Sequence, residues 1–527
     1  MLLKVIRSYL PFFIGLIAGI YFFNLNITAG WTHLPGDPSD ARLVNYLLEH
    51  AHQFITGKTP SFWNAPFLFP EKDVISYSEN MLGIAPFYSL FRLLGADRET
   101  SFQYWFILIS ALNYIACYFL LVNLFKSKYA AALGAMIFAF SIALQSQMVH
   151  AQTFPRFAIP LAMWAGAMYI KDLKPAYFFG VLFFLVYQFY CGIYLGFMLF
   201  VPITLLLLFS LAAKWNTYRI KIKEWKWLGM MLSAMLVNVG LLLPLMLPYL
   251  HRAQQVQLYS YESIVQTVPT IRSYFYSHYG SLLWEFLNKT GVKYEAFWDH
   301  QIFAGGLAVL CFLAFLCIVI TKALNKNIFP KIELSVSLVL LFFTGLFTFL
   351  FFIRFQGYSL YKLIFPLPGF ASMRALQRII NIELVFYAIA VAFIFQLVFR
   401  KEKKYDLLIF IFFVGLVYLD NHIAHDTTDR YVRVEARERS AILEQKMKDL
   451  KPWTIISYEP DTLVGNPTFF QLDAMLAAQA LGLRTLNGYT SNAPDEYSFY
   501  WQQPNAENRL RWLKKKNFSP DSVVVIH

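Results

Sequence analysis

Along this chain, apolar runs alternate with short polar breaks at a spacing that suits a bilayer rather than a globular core. A run of roughly 20 apolar residues crosses a hydrocarbon layer. Read this way, the pattern predicts about eleven crossings, over 8–24, 101–125, 129–146, 156–170, 176–190, 193–213, 227–249, 302–321, 333–353, 379–399 and 405–420. The run from Met81 to Leu94 is shorter and ends in the polar stretch Gly95 to Thr100, so it is expected to lie at an interface or re-enter. The first run leads into Asn24, Leu25, Asn26 and Ile27 without a small-residue cleavage site, and is read as a retained membrane helix. Beyond residue 420 the pattern changes. Strands over 453–457, 485–489 and 522–526 alternate with helices near 473–481 and over 506–515, the pattern of a small α/β domain. The predicted fold is therefore a polytopic α-helical membrane module, residues 1–420, followed by an α/β domain, residues 421–527.

Composition agrees: 58% of residues are hydrophobic and 15% charged, against roughly 25% charged in a soluble domain. The net charge of +13 does not point to nucleic acid, because the basic residues sit in short clusters between apolar runs rather than on one face. With a cytoplasmic N-terminus, those clusters all fall inside: Lys126 and Lys128; Lys171 and Lys174; Lys214, Arg219, Lys221, Lys223 and Lys226; Lys322, Lys326 and Lys331; Arg400, Lys401, Lys403 and Lys404. Counting the Met81 to Leu94 run as a crossing would place them outside. Segments 24–100, 251–301 and 354–378, with the tail, then face away from the cytoplasm. Cys117, Cys191, Cys311 and Cys317 lie within or at the ends of apolar runs and are expected to pack in the lipid phase rather than form disulfides or a metal site.

Candidate chemistry collects in the outward segments. Asp37 and Asp40 follow the first crossing. Asp37 suits a helix N-cap, with Pro38 at the first helical position, Asp40 in the first turn and Gly57 ending the helix. The competing role is that of a general base toward a hydroxyl at the water–lipid boundary. Arg42 lies on the same predicted helix. Glu79 precedes the interfacial helix, where the dipole favours a carboxylate. The turn from Gln145 to Arg156 concentrates polar groups, with His150, Gln152 and Arg156 able to line a polar cavity, although a single histidine also serves structure. Segment 354–378 carries Arg354, Tyr361, Lys362, Arg374 and Arg378 on the side that the positive-inside rule disfavours, so an anion is expected opposite it. Arginine forks suit phosphate or pyrophosphate on a lipid carrier; lipid headgroup contact is the alternative. His422, His425 and Asp426 lack the further spacing of a metal site. No cofactor is required by the sequence, and a divalent metal is compatible with it.

Gly36-Asp37-Pro38-Ser39-Asp40 after the first crossing, the stretches ending in Pro70 and containing Glu79, His150-Ala151-Gln152, and an outward tail resemble the GT-C superfamily of multi-helix glycosyltransferases, in particular bacterial members with a Gly-Asp-x-x-Asp first loop. The tail stretches Gln471 to Gln479 and Leu486 to Pro494 are also similar to such proteins. The resemblance implies a bacterial inner-membrane enzyme with a polyprenyl-phosphate-linked sugar as donor and a saccharide, lipid or protein acceptor. It also implies that Asp37 or Asp40 acts as base or metal ligand. The rival functions are a transporter or flippase of a lipid-linked saccharide, which needs ionisable groups along a path at the bilayer midplane, and a non-catalytic envelope-assembly protein.

Overall fold

A computed structural model describes residues 2–256, 258–289, 294, 297–325, 328–330, 332–399, 405–461 and 465–527. Lys326, Lys331, Arg400, Lys401, Lys403 and Lys404 of the predicted basic clusters lie outside these residues. Each predicted apolar run coincides with a helix. Among the described residues, 7 helices are long and apolar enough to cross a membrane: Tyr9–Ile27, Arg98–Phe125, Lys128–Gln145, Ile193–Ala213, Trp225–Ala253, Gly306–Leu324 and Leu376–Val398. The helices at the other runs, Ala158–Asp172, Pro175–Cys191, Val336–Phe352 and Asp406–Asn421, have 15, 17, 17 and 16 residues.

Packing sorts these helices into centre and rim. The helices over 128–145 and 376–398 are almost wholly buried. Small side chains make that possible, with Ala130, Ala131, Ala132 and Ala135 on one and Ala388, Ala390 and Ala392 on the other letting backbones approach. Trp225–Ala253 stands at the rim, with Leu236, Leu243 and Leu247 exposed. All four cysteines are free thiols; Cys117, Cys191 and Cys311 are buried and Cys317 is exposed.

The loops and the tail gather at one end of the bundle. Strand β1 (His33–Pro35), just after the first helix, pairs antiparallel with β2 (Arg430–Val432), just after the last, with Leu34 opposite Tyr431. In the tail, β3 (Ile455–Tyr458) lies between β4 (Arg484–Thr485) and β5 (Val523–Ile526), parallel to both. The helices Arg433–Met447, Pro467–Leu481 and Ala506–Lys515 accompany this sheet. The strand expected over 485–489 stops at Thr485 because the chain there is taken over by the first loop. The Thr485 amide donates to the Pro66 carbonyl at 3.0 Å, and the Leu68 amide to that of Asn487 at 3.2 Å. Tail and first loop consequently share one apolar core, in which Leu34, Leu47, Phe67 and Trp105 join Leu472, Met475, Leu486 and Trp512.

One local expectation changes, and the short run after Met81 follows its reading. The first-loop helix is Asp40–Ile55, preceded by Ser39 rather than capped at Asp37, because Asp37 instead accepts the Ser39 hydroxyl and, through Oδ1, the Ala41 amide at 3.3 Å. Its far end is as expected, with Gly57 at a φ of +73° following the last turn. The Met81 to Leu94 run contains only the 9-residue helix Ala85–Leu93, about 13 Å long at 1.5 Å per residue, too short to span. It presses Tyr88 onto the Asp40–Ile55 helix, donating to Glu49 Oε2 at 2.8 Å, and leaves Leu90, Leu93 and Leu94 exposed.

Candidate functional site

Gly36 sets the site's geometry. Its φ is +93°, and a Cβ there would sit 2.5 Å from that of Ala41, so only glycine lets the chain turn tightly into the helix that carries Asp40. Both carboxylate oxygens of Asp40 accept a hydrogen bond. Tyr489 of the tail donates its hydroxyl to Oδ1 at 2.6 Å, and His150 Nδ1 is 3.0 Å from Oδ2. The histidine is held in place by its backbone, whose amide donates to Gln147 and whose carbonyl accepts from Thr153. Burial works against a charge on Asp40, but the His150 and Tyr489 hydrogen bonds and the nearby Arg378 outweigh it and hold the carboxyl below its ordinary 3.8. Burial and Arg378 push His150 below its ordinary 6.5 against the pull of Asp40 and Asp37, which favours the neutral ring.

Arg374 and Arg378 line the same cavity as Asp40, of about 360 Å³. Gly369, at a φ of +87° and pressed against the Phe197 ring, turns segment 354–378 so that these two side chains line the cavity. Arg378 is 8% exposed, its Nε has no hydrogen-bond partner among the described residues, and its guanidinium lies 4.9 Å from the centre of the Tyr194 ring. It acts on Asp40 electrostatically without coming within 4.0 Å of it. A third lining arginine, Arg252, is already neutralised: Nη1 donates to Glu71 Oε1 at 2.9 Å, and its plane stacks 3.7 Å over Tyr77. Of the lining arginines, Arg374 and Arg378 have no carboxylate within 4.0 Å among the described residues.

Glu79 closes another side. It accepts the Ile193 amide at 2.5 Å and that of Tyr194 at 3.4 Å, at the start of the Ile193–Ala213 helix. Burial pushes its carboxyl up to about 7. One further wall is largely apolar. Met246, Tyr249 and Leu250 line the cavity from Trp225–Ala253, the same helix that exposes Leu243 and Leu247 at the rim.

The structure thus brings Asp40, Glu79, Gln152, Arg374 and Arg378 to one cavity, with His150 bonded to Asp40 from outside its lining. Other predicted residues lie elsewhere. Asp37 is beside Asp40, outside the lining, its carboxyl raised by burial and by the Asp40 charge. Arg42 is buried in an ion pair with Asp473, Nη2 to Oδ1 at 2.5 Å, and ties the first-loop helix to the tail. Arg156 is fully buried, donating to the Phe138 carbonyl at 2.8 Å. Arg354 donates to the Val265 carbonyl at 2.8 Å and Gln266 at 3.2 Å, and Tyr361 is buried with its hydroxyl on the Phe370 carbonyl at 2.7 Å. Lys362 is exposed, 5.2 Å from the centre of the Tyr261 ring.

Among the described residues no group of three or more His, Cys, Asp or Glu side chains is placed to hold a metal ion. The oxygens of Asp40 meet Tyr489 and His150, and those of Asp37 accept from Ser39 and Ala41. Sequence reasoning missed Tyr489, whose stretch it quoted without a role, and also Arg252 and Tyr194. Only a tyrosine flanked by Gly488 and small polar residues marked the first of these as a loop tip reaching a site.

No family model matches the chain, and no curated protein does. Among solved structures, the chain is similar to the archaeal oligosaccharyltransferase AglB from Archaeoglobus fulgidus in complex with an inhibitory peptide and a dolichol-phosphate. That likeness covers 99% of this chain and 69% of the other, at 12% identity and a TM-score of 0.47. It is also similar to the apo form of an Archaeoglobus fulgidus oligosaccharyltransferase, over 92% of this chain and 65% of the other, at 11% identity and a TM-score of 0.44. The chain spans about two thirds of the length of these proteins, and at these scores the likeness carries no inference about chemistry.

Proposed function

We propose that this protein is an integral membrane glycosyltransferase of the bacterial inner membrane. It transfers a sugar from a polyprenyl-phosphate-type lipid to a hydroxyl of a saccharide, lipid or protein acceptor on the side away from the cytoplasm, with inversion at the sugar. The N-terminus is cytoplasmic in this reading, following the basic inner clusters, and residues 421–527 join loops 24–100, 251–301 and 354–378 over the bundle of residues 1–420.

The observation that carries the reading is a carboxylate, Asp40, and two arginines, Arg374 and Arg378, bordering one cavity with no ion pair to either arginine within 4.0 Å among the described residues. An anion belongs between them, and fixed guanidinium groups stabilise charge as it develops on a departing phosphate. A phosphate leaves without a strong acid, whereas the attacking hydroxyl must lose its proton, and that is the task of the Asp40 side. Inversion requires attacking and leaving groups on opposite faces of the sugar, as in inverting glycoside hydrolysis. The apolar wall from Trp225–Ala253 gives the lipid chain a route, because that helix is both cavity wall and lipid-exposed rim. Arg374 and Arg378 hold the phosphate; Gln152, Tyr194 and Glu79 face the sugar.

The test is purified protein in lipid nanodiscs given a polyprenyl-phosphate sugar labelled in the sugar. Release or transfer of label that depends on Arg378 is the expected result. Binding, or movement between leaflets, without any cleavage of the sugar–phosphate bond would assign the cavity to a carrier instead.

A further inference from the structure

Resting on that reading, we propose that the atom which takes the acceptor proton is Nε2 of His150, with Asp40 as the positioning residue that holds the ring and stabilises its charged form. The geometry at Asp40 carries this. A carboxylate whose oxygens each accept a hydrogen bond, Oδ1 from Tyr489 at 2.6 Å and Oδ2 facing His150 Nδ1 at 3.0 Å, is stabilised as the anion and is a poor proton acceptor. An ionised carboxylate has no proton to give, so the proton in the Asp40–His150 contact belongs to Nδ1. In the neutral ring this leaves a lone pair on Nε2. Nε2 has no hydrogen-bond partner among the described residues and is not among the enclosed, unpartnered polar atoms, and the side chain is 27% exposed, so this nitrogen is not fully enclosed. A base with a free lone pair, oriented from behind by a carboxylate, is the arrangement that activates hydroxyl nucleophiles in serine hydrolases.

The placement also suits inversion. Asp40 lines the cavity that holds the arginines, while His150 reaches the carboxylate from outside that lining. An acceptor entering there attacks the face of the sugar opposite the phosphate. The acceptor O–H bond breaks with its proton passing to Nε2, the oxygen forms the new bond to the anomeric carbon, and the old carbon–oxygen bond breaks with its electron pair leaving on the phosphate. The imidazolium, paired with Asp40, then returns its proton to solvent. The charged groups facing the ring are Asp37 and Asp40 from the first loop and Arg378 from the segment preceding Ile380–Val398.

The experiment is turnover of labelled polyprenyl-phosphate sugar by His150→Gln and His150→Ala, with melting temperature measured on each. The expected result is a fall in kcat of about 100-fold in both, little change in donor KM, and partial rescue of His150→Ala by added imidazole. Turnover of His150→Gln within threefold of wild type, or a loss in His150→Ala that imidazole leaves untouched, overturns the proposal. A second readout needs no turnover. Nitrogen-15 NMR of histidine-labelled protein, with the His150 signal assigned by its disappearance in His150→Gln, is expected to show the ring protonated on Nδ1. Protonation on Nε2 overturns the assignment even if wild type transfers sugar, whereas an inactive wild type with Nδ1 protonated contradicts only the glycosyltransferase reading.

Discussion

Tyr489 and Asp40, 449 residues apart, meet through a 2.6 Å hydrogen bond at the centre of the site. The tail therefore contributes directly to the candidate active site, because its loop supplies the donor that fixes one oxygen of the key carboxylate. Residues Tyr489 to Asn492 line the cavity, and Ser491 is bonded to Ser78 of the first loop at 3.1 Å.

Replacing Tyr489 by Phe keeps the ring and removes only this donor. A hydrogen bond to a charged group contributes about 1.5–3 kcal/mol, so kcat for sugar transfer is expected to fall between about 10- and 100-fold while the melting temperature changes little. Steady-state rates with labelled donor check this.

Two classes of cation in segment 354–378 separate in a donor-binding assay. Arg378→Gln removes a buried cation at the cavity and is expected to weaken donor binding by at least about tenfold, one charge-assisted hydrogen bond's worth. Lys362→Gln, exposed against Tyr261, is expected to bind as wild type does. Equal losses in both would place the phosphate elsewhere.

The Arg42–Asp473 pair predicts an asymmetry in stability. Asp473 also accepts Arg439 at 2.6 Å, so Arg42→Met leaves the carboxylate paired. Asp473→Asn strands Arg42, 3% exposed, without a counter-ion. The second substitution is expected to cost about 3 kcal/mol and the first clearly less, read as loss of melting temperature.

Glu79 predicts a pH dependence. Its carboxyl is pushed up from 4.5 to about 7 by burial, so the folded state holds a proton that the unfolded chain has released. Stability is then lost as pH rises from about 4.5 to about 7 and levels off above it. Glu79→Gln keeps an acceptor for the Ile193 amide and is expected to flatten this part of the stability profile, measured by thermal unfolding at pH 5 and pH 8.

The bundle was legible in the sequence because lipid imposes a length: runs such as 193–213 and 227–249 admit no other solution, and each coincides with a helix. The short Met81 to Leu94 run was legible for the same reason in reverse. The tail strands were read within a few residues except where long-range pairing intervened, as when Pro66 captured Thr485. Within the site, Asp40, His150, Arg374 and Arg378 were visible as polar groups where lipid discourages them. Which arginines are already held in ion pairs was not visible. Arg42 and Arg252 look like Arg378 in one dimension, and only their partners, Asp473 and Glu71, reveal that their charge is already compensated. Those partners lie 431 and 181 residues away, and no local spacing encodes such pairs.

The most direct test of the account compares Asp40→Asn with wild type in single-turnover cleavage of a labelled polyprenyl-phosphate sugar, with donor binding and folding verified for both proteins. The account predicts a wild type that breaks the sugar–phosphate bond and a variant that binds the lipid yet is slower by about 100-fold or more. Equal cleavage by the two proteins would contradict it.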